Sequence, residues 1–413
     1  MIAVEKALKI ILRGARLMGT EKALILEAQK RVIAENIYAG RNIPPADNSA
    51  MDGYALRSSD TKGATKKNPV RLKIAEEIPA GKIPRRKIGA GEAARIMTGA
   101  MIPAGADTVL RQENTKRDGG EIVVFAPVAK KTDIRFAGED VRRGKLVIPK
   151  FSILGAAQLG MLASLGQKLV NVYKRPRVAV VATGNELVDI NTNPPPGKIV
   201  NSNSYSLAAL VKDCGGIPII LGITRDNKKD IKRIFTKALK ADLIISSGGV
   251  SVGDYDLVKD IMAEMGNSMR FWQVAMRPGR PLAFGAIKGV PLFGLPGNPV
   301  SSMVSFEQFV RPYLLKIQGR RNIFRPVIQA ASENGLEKKA GVKNFLRAVV
   351  RKEKGGYIAA TTGDQGSGIL KSMVAANALI VLEEKVTKVK KGEMMQVQLL
   401  DDSFFSSESF SGH

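Results

Sequence analysis

A glycine-rich turn lies between an apolar run and a helical pattern in the middle of the chain. The run at residues 241–245 (ADLII) predicts a buried strand, the turn at 246–256 reads SSGGVSVGDYD, and residues 257–262 (LVKDIM) predict a helix start. Glycines in such a turn let backbone N–H groups approach a phosphate near the helix N-terminus. Asp254 and Asp256 would repel a bare phosphate, and Mg²⁺ held between carboxylates and phosphate oxygens removes that repulsion. The turn therefore predicts a phosphorylated ligand with a hard cation.

Strand and helix patterns alternate across residues 175–318, which predicts a doubly wound α/β domain. The apolar runs that predict its strands include residues 178–182, 217–221 and 243–245, and helices are predicted at 201–214 and 226–239. In such a domain, ligands bind beyond the carboxyl ends of the strands. Four carboxylates follow strands at that edge: Glu186, Asp226, Asp254 and Asp256. Asp226 is equally well placed to cap a helix, and Asp254 is as compatible with a structural role as with a functional one.

Two further turns are rich in proline and glycine. The first, RPGRP at residues 277–281, carries Arg277 and Arg280, whose guanidinium forks suit oxyanions. The second, PGNP at residues 296–299, presents backbone donors before a predicted helix. Either turn alone is explained by chain reversal. Together with the glycine-rich turn, they favour a ligand site.

The chain contains few of the cysteine and histidine side chains that serve as nucleophiles or metal ligands. The chain has one cysteine, Cys214, and one histidine, His413. This excludes an intrachain disulfide, and it argues against Ser-His-Asp and Cys-His catalysis and against histidine-bound zinc. Catalysis must use carboxylates, Lys or Arg, hydroxyls and backbone groups. With an N-terminus that lacks a signal-peptide pattern, this composition predicts the cytoplasm.

The chain is strongly basic, with 64 Lys and Arg against 38 Asp and Glu and a formal net charge of +26. Its basic residues are dispersed, and aromatic residues (5%) do not alternate with them as stacking platforms would. Most of the charge is therefore interpreted as solvated surface, and specific nucleic-acid binding is disfavoured. No apolar run approaches the ~20 residues of a membrane span.

The patterns divide the chain into segments of different character. Residues 4–36 show helical spacing, with a second helix predicted to open at Thr20, and residues 151–168 are again predicted to be helical. Short apolar runs between Gly and Pro predict β structure in two other regions. The predicted domains are a helical one at 1–42 and 137–174, an inserted β-rich one at 43–136, the α/β domain at 175–318, a small β domain at 319–402 and a mobile tail at 403–413.

Five motifs occur together in a fixed order. They are PPADNSAMDGYA at residues 44–55, GED at 138–140, TGNEL at 183–187, the glycine-rich turn at 246–256 and LPGNPVS at 295–301. With this set the chain resembles the MoeA/gephyrin E-domain family of molybdopterin molybdenumtransferases, over residues 4–400. The resemblance implies a helical linker domain, an inserted β domain, a MogA-like molybdopterin-binding α/β domain and a C-terminal β barrel. It also implies an elongated homodimer with active sites between subunits.

The reaction implied by the resemblance takes adenylylated molybdopterin and molybdate, inserts the metal at the dithiolene and releases AMP, with Mg²⁺ assisting. A molybdate oxygen and water both remain open as the attacking group. Partners implied are the molybdopterin adenylyltransferase and proteins that mature molybdoenzymes. A tungstate-inserting paralogue and a gephyrin-like scaffold without catalysis are the alternatives. The adenylyltransferase of the same pathway resembles residues 175–318 alone and leaves the flanking motifs unexplained.

The resemblance also assigns site residues. The implied catalytic carboxylates are Asp52, Asp140, Glu186, Asp226 and Asp256, and the implied Mg²⁺ ligands are Glu186, Asp254 and Asp256. The expected ligand-binding residues are Thr183, Gly184, Ser247, Gly248, Gly249, Ser251, Gly253, Arg277, Arg280, Pro296, Gly297, Asn298, Pro299 and Ser301. Molybdate is expected at Arg347 and Ser367, close to Arg277 and Arg280, positions at which this family often has lysine. Because arginine is larger and forked, this departure bears on oxyanion affinity and on the choice between molybdate and tungstate.

Overall fold

The computed structural model describes residues 1–225, 227–248, 264–266, 268–401 and 404. The α-helices are α1 (Val4–Arg13), α2 (Ala156–Ser164), α3 (Asn203–Asp213), α4 (Lys228–Ala238), α5 (Pro299–Ser305), α6 (Arg311–Ile317) and α7 (Leu370–Ala375). A π-helical turn at Phe306–Val310 joins α5 to α6, and 3₁₀ turns lie at Ser58–Thr61 and Gln112–Asn114.

The strands are β1 (Thr20–Leu24), β2 (Ile37–Tyr38), β3 (Asn48–Ser49), β4 (Gly53–Leu56), β5 (Val70–Ile78), β6 (Glu92–Ile96), β7 (Thr108–Arg111), β8 (Thr115–Asp118), β9 (Glu121–Val124), β10 (Ile134–Arg135), β11 (Leu146–Ile148), β12 (Leu169–Tyr173), β13 (Arg177–Thr183), β14 (Leu187–Val188), β15 (Ile199–Val200), β16 (Ile217–Thr224), β17 (Leu243–Ser247), β18 (Phe271–Gln273), β19 (Met276–Arg277), β20 (Pro281–Ile287), β21 (Val290–Leu295), β22 (Val327–Ser332), β23 (Leu336–Glu337), β24 (Lys343–Glu353), β25 (Gly356–Thr361), β26 (Ala378–Leu382), β27 (Lys388–Val389) and β28 (Met394–Leu399).

The described residues form two compact units. The first contains residues 1–22, 30–34 and those from 171 onward, and the second contains residues 23–29 and 35–170. The described helices include none that is long and apolar enough to cross a membrane.

A six-stranded sheet in the order β16-β13-β17-β21-β20-β18 organises the first unit. The pairs β16–β13, β13–β17 and β17–β21 are parallel, whereas the pairs β21–β20 and β20–β18 are antiparallel. All five residues of β17 are buried, as expected for a parallel strand that is covered on both faces.

Helices cover both faces of this sheet. Along β13, Val178 and Val180 point to the face that packs against Leu207 of α3. Ala179 and Val181 point to the other face, which packs against α4. Apolar residues of α4 recur three and four positions apart and form one buried stripe: Ile231, Ile234, Phe235 and Ala238. The doubly wound prediction is confirmed.

A closed barrel of five strands completes the first unit. Its order is β24-β25-β22-β28-β26, and pairing of β26 with β24 closes it. Strand β19 adds to β24 in parallel. Small and β-branched side chains fill the interior, including Ala348, Val350, Ala359 and Val397. The C-terminal β barrel implied by the resemblance is confirmed.

The second unit contains a six-stranded sheet in the order β7-β4-β6-β5-β9-β8. Most of its strands pair antiparallel, and β5–β6 is a parallel pair. Its side chains form two apolar clusters, one around Leu72 and Ile122 and one around Ile78 and Val109.

Three local predictions are wrong. The helix expected to open at Thr20 is strand β1, whose one buried side chain is Ala23; Leu24 and Leu26 are exposed, so no helical apolar stripe is buried. The helix expected at 151–168 is confined to α2, since Gly155 before it is extended and Gly166 after it has a φ of 77°. The helix expected at 226–239 begins at Lys228, because the Asn227 side chain accepts the Asp230 N–H at 2.9 Å and so caps the helix.

Except for Phe404, the tail predicted at 403–413 lies outside the described residues.

Candidate functional site

A cavity of about 600 Å³ lies at the carboxyl ends of β13, β17 and β21. Parallel strands bring their carboxyl ends to one edge of a sheet, so the turns that follow them converge there. The lining residues are Thr183, Glu186, Leu187, Ile199, Val200, Asn201, Ser202, Asn203, Ser247, Gly297, Asn298, Pro299, Gly368 and Leu370. The cavity thus brings together residues from three of the predicted motifs. We call it the carboxyl-end cavity.

The turn after β13 places a carboxylate at the rim of this cavity. Glu186 is exposed, and its carbonyl accepts the Ile199 N–H at 2.9 Å, which joins the turn to β15. Gly184 has a φ of 152°, and a Cβ at this position would lie 2.6 Å from the Glu186 carboxylate oxygens. A side chain at position 184 would collide with the Glu186 carboxylate, so the absence of a Cβ in Gly184 makes room for it.

The turns after β17 and β21 approach each other closely. The Gly248 N–H donates to the Leu295 carbonyl at 3.0 Å, and a Cβ on Gly297 would lie 3.8 Å from the Gly248 Cα. Gly248 itself has a φ of 85°, and a Cβ there would lie 2.5 Å from the Thr183 carbonyl oxygen. A side chain at 248 is excluded by conformation and by space, so this glycine keeps three strand ends together.

Asn203 joins two of these turns and was not identified from the sequence. Its Nδ2 donates to Ser247 Oγ at 2.8 Å and to the Gly297 carbonyl at 2.7 Å. Its Oδ1 is buried without a hydrogen-bond partner among the described residues, as is Oγ1 of Thr183. Buried polar atoms are normally paired, so these two oxygens are open to a hydrogen bond or a cation from a bound molecule or water. The signal available was the polar run at 201–204 (NSNS), which follows a strand and opens a helix.

The remaining wall of the carboxyl-end cavity is formed by the second proline-glycine turn and by a loop of the C-terminal barrel region. Pro296 and Gly297 follow β21, and Asn298 precedes α5, in which Pro299 is the first residue and Ser301 is buried. Asn298 Nδ2 donates to Ser367 Oγ at 3.0 Å, and the Val300 N–H donates to the Ser367 carbonyl at 3.2 Å. Ser367 therefore lies next to the carboxyl-end cavity.

Arg347 supports the loop that carries Ser367. Its side chain is fully buried in β24, its Nη2 donates to the Gly366 carbonyl at 3.0 Å, and its Nε donates to Ser372 Oγ at 3.0 Å. Burial lowers the pKa of this guanidinium, and Asp364 opposes the shift. Its Nη1 has no partner among the described residues. In this conformation Arg347 holds the loop and presents no surface to a dissolved oxyanion.

The predicted arginine pair lies on a turn packed against α5. Arg277 and Arg280 are exposed, and the intervening Pro278 and Gly279 are buried. Gly279 has a φ of 101°, and a Cβ there would lie 2.5 Å from Ser305 Oγ. Both arginines lie outside the lining of the carboxyl-end cavity.

Asp52 and Asp140 belong to the second unit. Asp52 accepts the Thr98 N–H and the Thr98 hydroxyl, both at 2.7 Å, and these bonds lower the pKa of its carboxyl group. The Asp140 side chain is exposed, and its N–H donates to the Ile43 carbonyl at 3.1 Å. This bond joins the GED motif to the chain that leads into the motif at 44–55.

Six predicted site residues lie outside the described residues. They are Asp226, Gly249, Ser251, Gly253, Asp254 and Asp256.

Three family models cover most of the chain. The model for the MoeA N-terminal region (domain I and II) matches residues 2–166, and that for a probable molybdopterin binding domain matches residues 179–316. The model for the MoeA C-terminal region (domain IV) matches residues 329–400.

Named relatives and solved structures agree with these matches. A molybdopterin molybdenumtransferase of Nostoc sp. is 37% identical over 91% of this chain and 87% of that relative. The molybdopterin molybdenumtransferase 2 of Mycobacterium tuberculosis is 37% identical over 96% of this chain and 99% of its own length. Two crystal structures of a molybdopterin biosynthesis MoeA protein from Pyrococcus horikoshii, both 34% identical, cover 97% of this chain and 99% and 100% of their own chains, with TM-scores of 0.85 and 0.81. The chain belongs to the MoeA family.

Proposed function

We propose that this chain is a molybdopterin molybdenumtransferase, which takes adenylylated molybdopterin and molybdate, places the metal at the dithiolene and releases AMP. The observation that carries the proposal is the carboxyl-end cavity, with the buried unpaired oxygens of Asn203 and Thr183 in a chain of this family. Both curated relatives named above carry that activity in their names. At this cavity the chain supplies carboxylates, amides and hydroxyls. It needs no thiol for the reaction, because the dithiolene sulfurs belong to the substrate.

The residues around this cavity suit Mg²⁺ as an assisting cation. Magnesium prefers oxygen ligands and is commonly held by one or two carboxylates together with substrate phosphates. Glu186 at the rim supplies one carboxylate, and the unpaired Thr183 Oγ1 and Asn203 Oδ1 are hard oxygen atoms. When bound, Mg²⁺ would offset the negative charge of the phosphoanhydride.

Residues of this chain bind and orient the substrate in the proposal. The turns at Gly248 and Gly297 bring backbone close to the ligand, and Asn203 sets the distance between them. The phosphoanhydride bond to AMP breaks as an oxygen atom forms a new bond to phosphorus. Cationic groups that face the departing phosphate stabilise its charge, and exposed Arg277 and Arg280 are the proposed groups.

Molybdate is proposed to bind beside the loop that carries Ser367. The Ser367 hydroxyl oxygen accepts a hydrogen bond from the Asn298 amide, and the hydroxyl proton can be donated to an oxyanion. Arg347 acts in this proposal by holding that loop through Gly366 and Ser372. Replacing Arg277 and Arg280 together by lysine should change the ratio of molybdate to tungstate affinity, because a point charge replaces a planar fork.

The proposed assembly is a homodimer in the cytoplasm. The predicted catalytic carboxylates are divided between the two units of the chain, with Asp52 and Asp140 in one and Glu186 in the other. We propose that Asp52 and Asp140 of one subunit complete the site at Glu186 of the other. The predicted helical, inserted β and α/β domains with the boundaries given above are part of this proposal.

Mixing two inactive variants tests the function and the assembly together. Asp52→Ala and Glu186→Ala are each expected to abolish AMP release from adenylylated molybdopterin in the presence of Mg²⁺ and molybdate. If subunits exchange at random, half of the dimers are mixed and each has one intact site, so about a quarter of wild-type activity should return.

Asp189→Ala provides the control, since its carboxylate accepts the Asn191 N–H at 3.1 Å on the exposed loop after β14. It should release AMP at the wild-type rate. Wild-type rates in either single variant would refute the catalytic assignments. No recovery on mixing would refute a site shared between subunits. Substrate binding without AMP release in the wild type would favour the scaffold alternative.

A further inference from the structure

A second cavity lies at the opposite end of the central sheet, at the amino ends of β17 and β21. It has a volume of about 910 Å³, and its lining includes Asp242, which precedes β17, and Pro291 near the start of β21. A strand rises ~3.3 Å per residue, so the length of β17 places roughly 16 Å between this cavity and Ser247. We call it the amino-end groove, and it is separate from the carboxyl-end cavity.

The segment after α1 forms one fixed wall of the groove. The Met18 N–H donates to the Ile317 carbonyl of α6 at 2.7 Å. Lys316 Nζ donates to the Leu12 carbonyl at 2.8 Å and so fixes the end of α1 on the same helix. This wall is held in place by the first unit's own core.

The opposite wall and the floor are equally well held. The Ser268 and Arg270 N–H groups donate to the carbonyls of Ala286 and Phe284 at 2.9 and 2.8 Å. Phe284 and Tyr313 line the groove and are buried beneath it, with ring centroids 6.4 Å apart. A partner would therefore meet a preformed surface.

The groove carries a surplus of positive charge. Arg13, Arg16 and Arg270 are exposed in its lining, and none forms an ion pair or side-chain hydrogen bond with any described residue. Among the residues that the structure describes, the one carboxylate in the lining is that of Asp242, which accepts the Arg177 N–H at 2.7 Å. Three exposed arginines elsewhere, Arg71, Arg111 and Arg351, are by contrast paired with carboxylates. Unpaired guanidinium groups on both walls favour an anionic partner.

The remaining surface of the groove favours a polypeptide over a small oxyanion. Leu17 lies in the lining with half of its surface exposed, and Phe284 and Tyr313 make the floor aromatic. Among the described residues, no buried polar atom without a partner lines this groove, in contrast to the carboxyl-end cavity. We propose that the amino-end groove binds an acidic segment of a protein partner, with carboxylates on the arginines and an apolar side chain beside Leu17.

Fluorescence anisotropy of a labelled peptide tests the proposal. The probe is a fluorescein-labelled peptide of alternating aspartate and glutamate with two central leucines, titrated with the full chain. The groove variant combines Arg13→Gln, Arg16→Gln and Arg270→Gln. Its matched control combines Lys229→Gln, Lys232→Gln and Lys237→Gln on the exposed side of α4, so both variants lose three positive charges.

We expect the groove variant to bind the peptide about tenfold more weakly than the control variant, at roughly two- to threefold for each exposed ion pair lost. Equal weakening in both variants would show that net charge alone attracts the peptide and would overturn the proposal. Undetectable binding to the wild type would also overturn it.

A label in the groove locates the peptide. Leu17→Cys can be labelled selectively, because the native Cys214 is buried. Its emission should change when the unlabelled peptide binds, whereas a label at exposed Ile190→Cys, on the loop after β14, should not respond. Displacement of the peptide by an equal concentration of pyrophosphate would reassign the groove to small oxyanions and would refute the proposal.

Discussion

The amide of Asn203 fixes the distance between two turns of the carboxyl-end cavity, and its removal should reduce stability and activity together. Asn203→Ala deletes hydrogen bonds of 2.8 Å to Ser247 Oγ and 2.7 Å to the Gly297 carbonyl, both in buried surroundings. Losing a bond and leaving its buried partner unpaired costs about 1–2 kcal/mol, so the two bonds amount to about 3 kcal/mol. Alanine favours the first turn of α3 by about 0.5 kcal/mol. The net loss in the free energy of unfolding should be about 2.5 kcal/mol.

Activity should fall further than stability alone explains. Once the turns at Ser247 and Gly297 are free to separate, backbone donors are displaced from the ligand, and misplacement of this kind costs at least about tenfold in rate. Urea unfolding gives the stability, and AMP release at saturating substrate gives the rate.

Gln318→Ala is the matched control. The Gln318 amide is also buried and donates to two carbonyls, those of Cys214 and Leu314, at 2.9 and 2.8 Å. This control should lose comparable stability while folded protein releases AMP at the wild-type rate. An Asn203→Ala protein as stable as the wild type, or equal losses of rate in both variants, would refute the reasoning.

Three further predictions concern other parts of the molecule. Gly248→Ala should stop AMP release, and in urea unfolding it should cost about 2 kcal/mol more stability than Gly222→Ala. Both glycines have a φ near 90°, but only a Cβ at position 248 would meet a backbone oxygen, at 2.5 Å. Equal losses of stability in the two variants would contradict this. Glu307→Gln should lower the free energy of unfolding by about 3 kcal/mol, since it leaves the half-buried Arg311 and Arg325 without their buried carboxylate partner, and an unchanged value would show that the ion pair is not required. Thr98→Val should raise the pKa of Asp52, followed by NMR of its carboxyl carbon, because one of two lowering bonds is lost. The hydrogen bonds to Asp52 stabilise the fold at pH values above the ordinary aspartate pKa of about 3.9, and this contribution is lost as the pH falls through the lower pKa of the folded state. An Asp52 titration that is identical in wild type and Thr98→Val would show that the Thr98 hydroxyl does not lower this pKa.

The sheet and the edge that carries the site follow from local sequence. Runs such as residues 243–245 are too apolar for an exposed strand, and glycine turns after them mark the carboxyl ends at which ligands bind. Thr183, Ser247 and Gly297, which the resemblance names as ligand-binding residues, lie together in the lining of the carboxyl-end cavity. These inferences succeed because burial and turn chemistry are properties of neighbouring residues.

What escaped prediction depends on contacts between distant residues. Asn203 reaches Ser247 and Gly297, which are 44 and 94 residues away, and a polar run at a helix start does not reveal such partners. Arg347 was expected to face an oxyanion, whereas the segment that contains Gly366 and Ser372 covers it and accepts its hydrogen bonds. In the stretch that opens at Thr20 the fold buries Ala23 and Ala28 and leaves Leu24 and Leu26 exposed, a choice that the apolar pattern does not reveal.

Coupling between metal insertion and AMP release is the central claim, and a single reaction can measure it. Purified protein with Mg²⁺ and adenylylated molybdopterin would be titrated with molybdate, and AMP and dithiolene-bound molybdenum would be quantified in the same samples. The proposed function predicts equal amounts of both, with AMP release that rises with molybdate and saturates. AMP release independent of molybdate, or bound substrate that releases no AMP at any molybdate concentration, would contradict it.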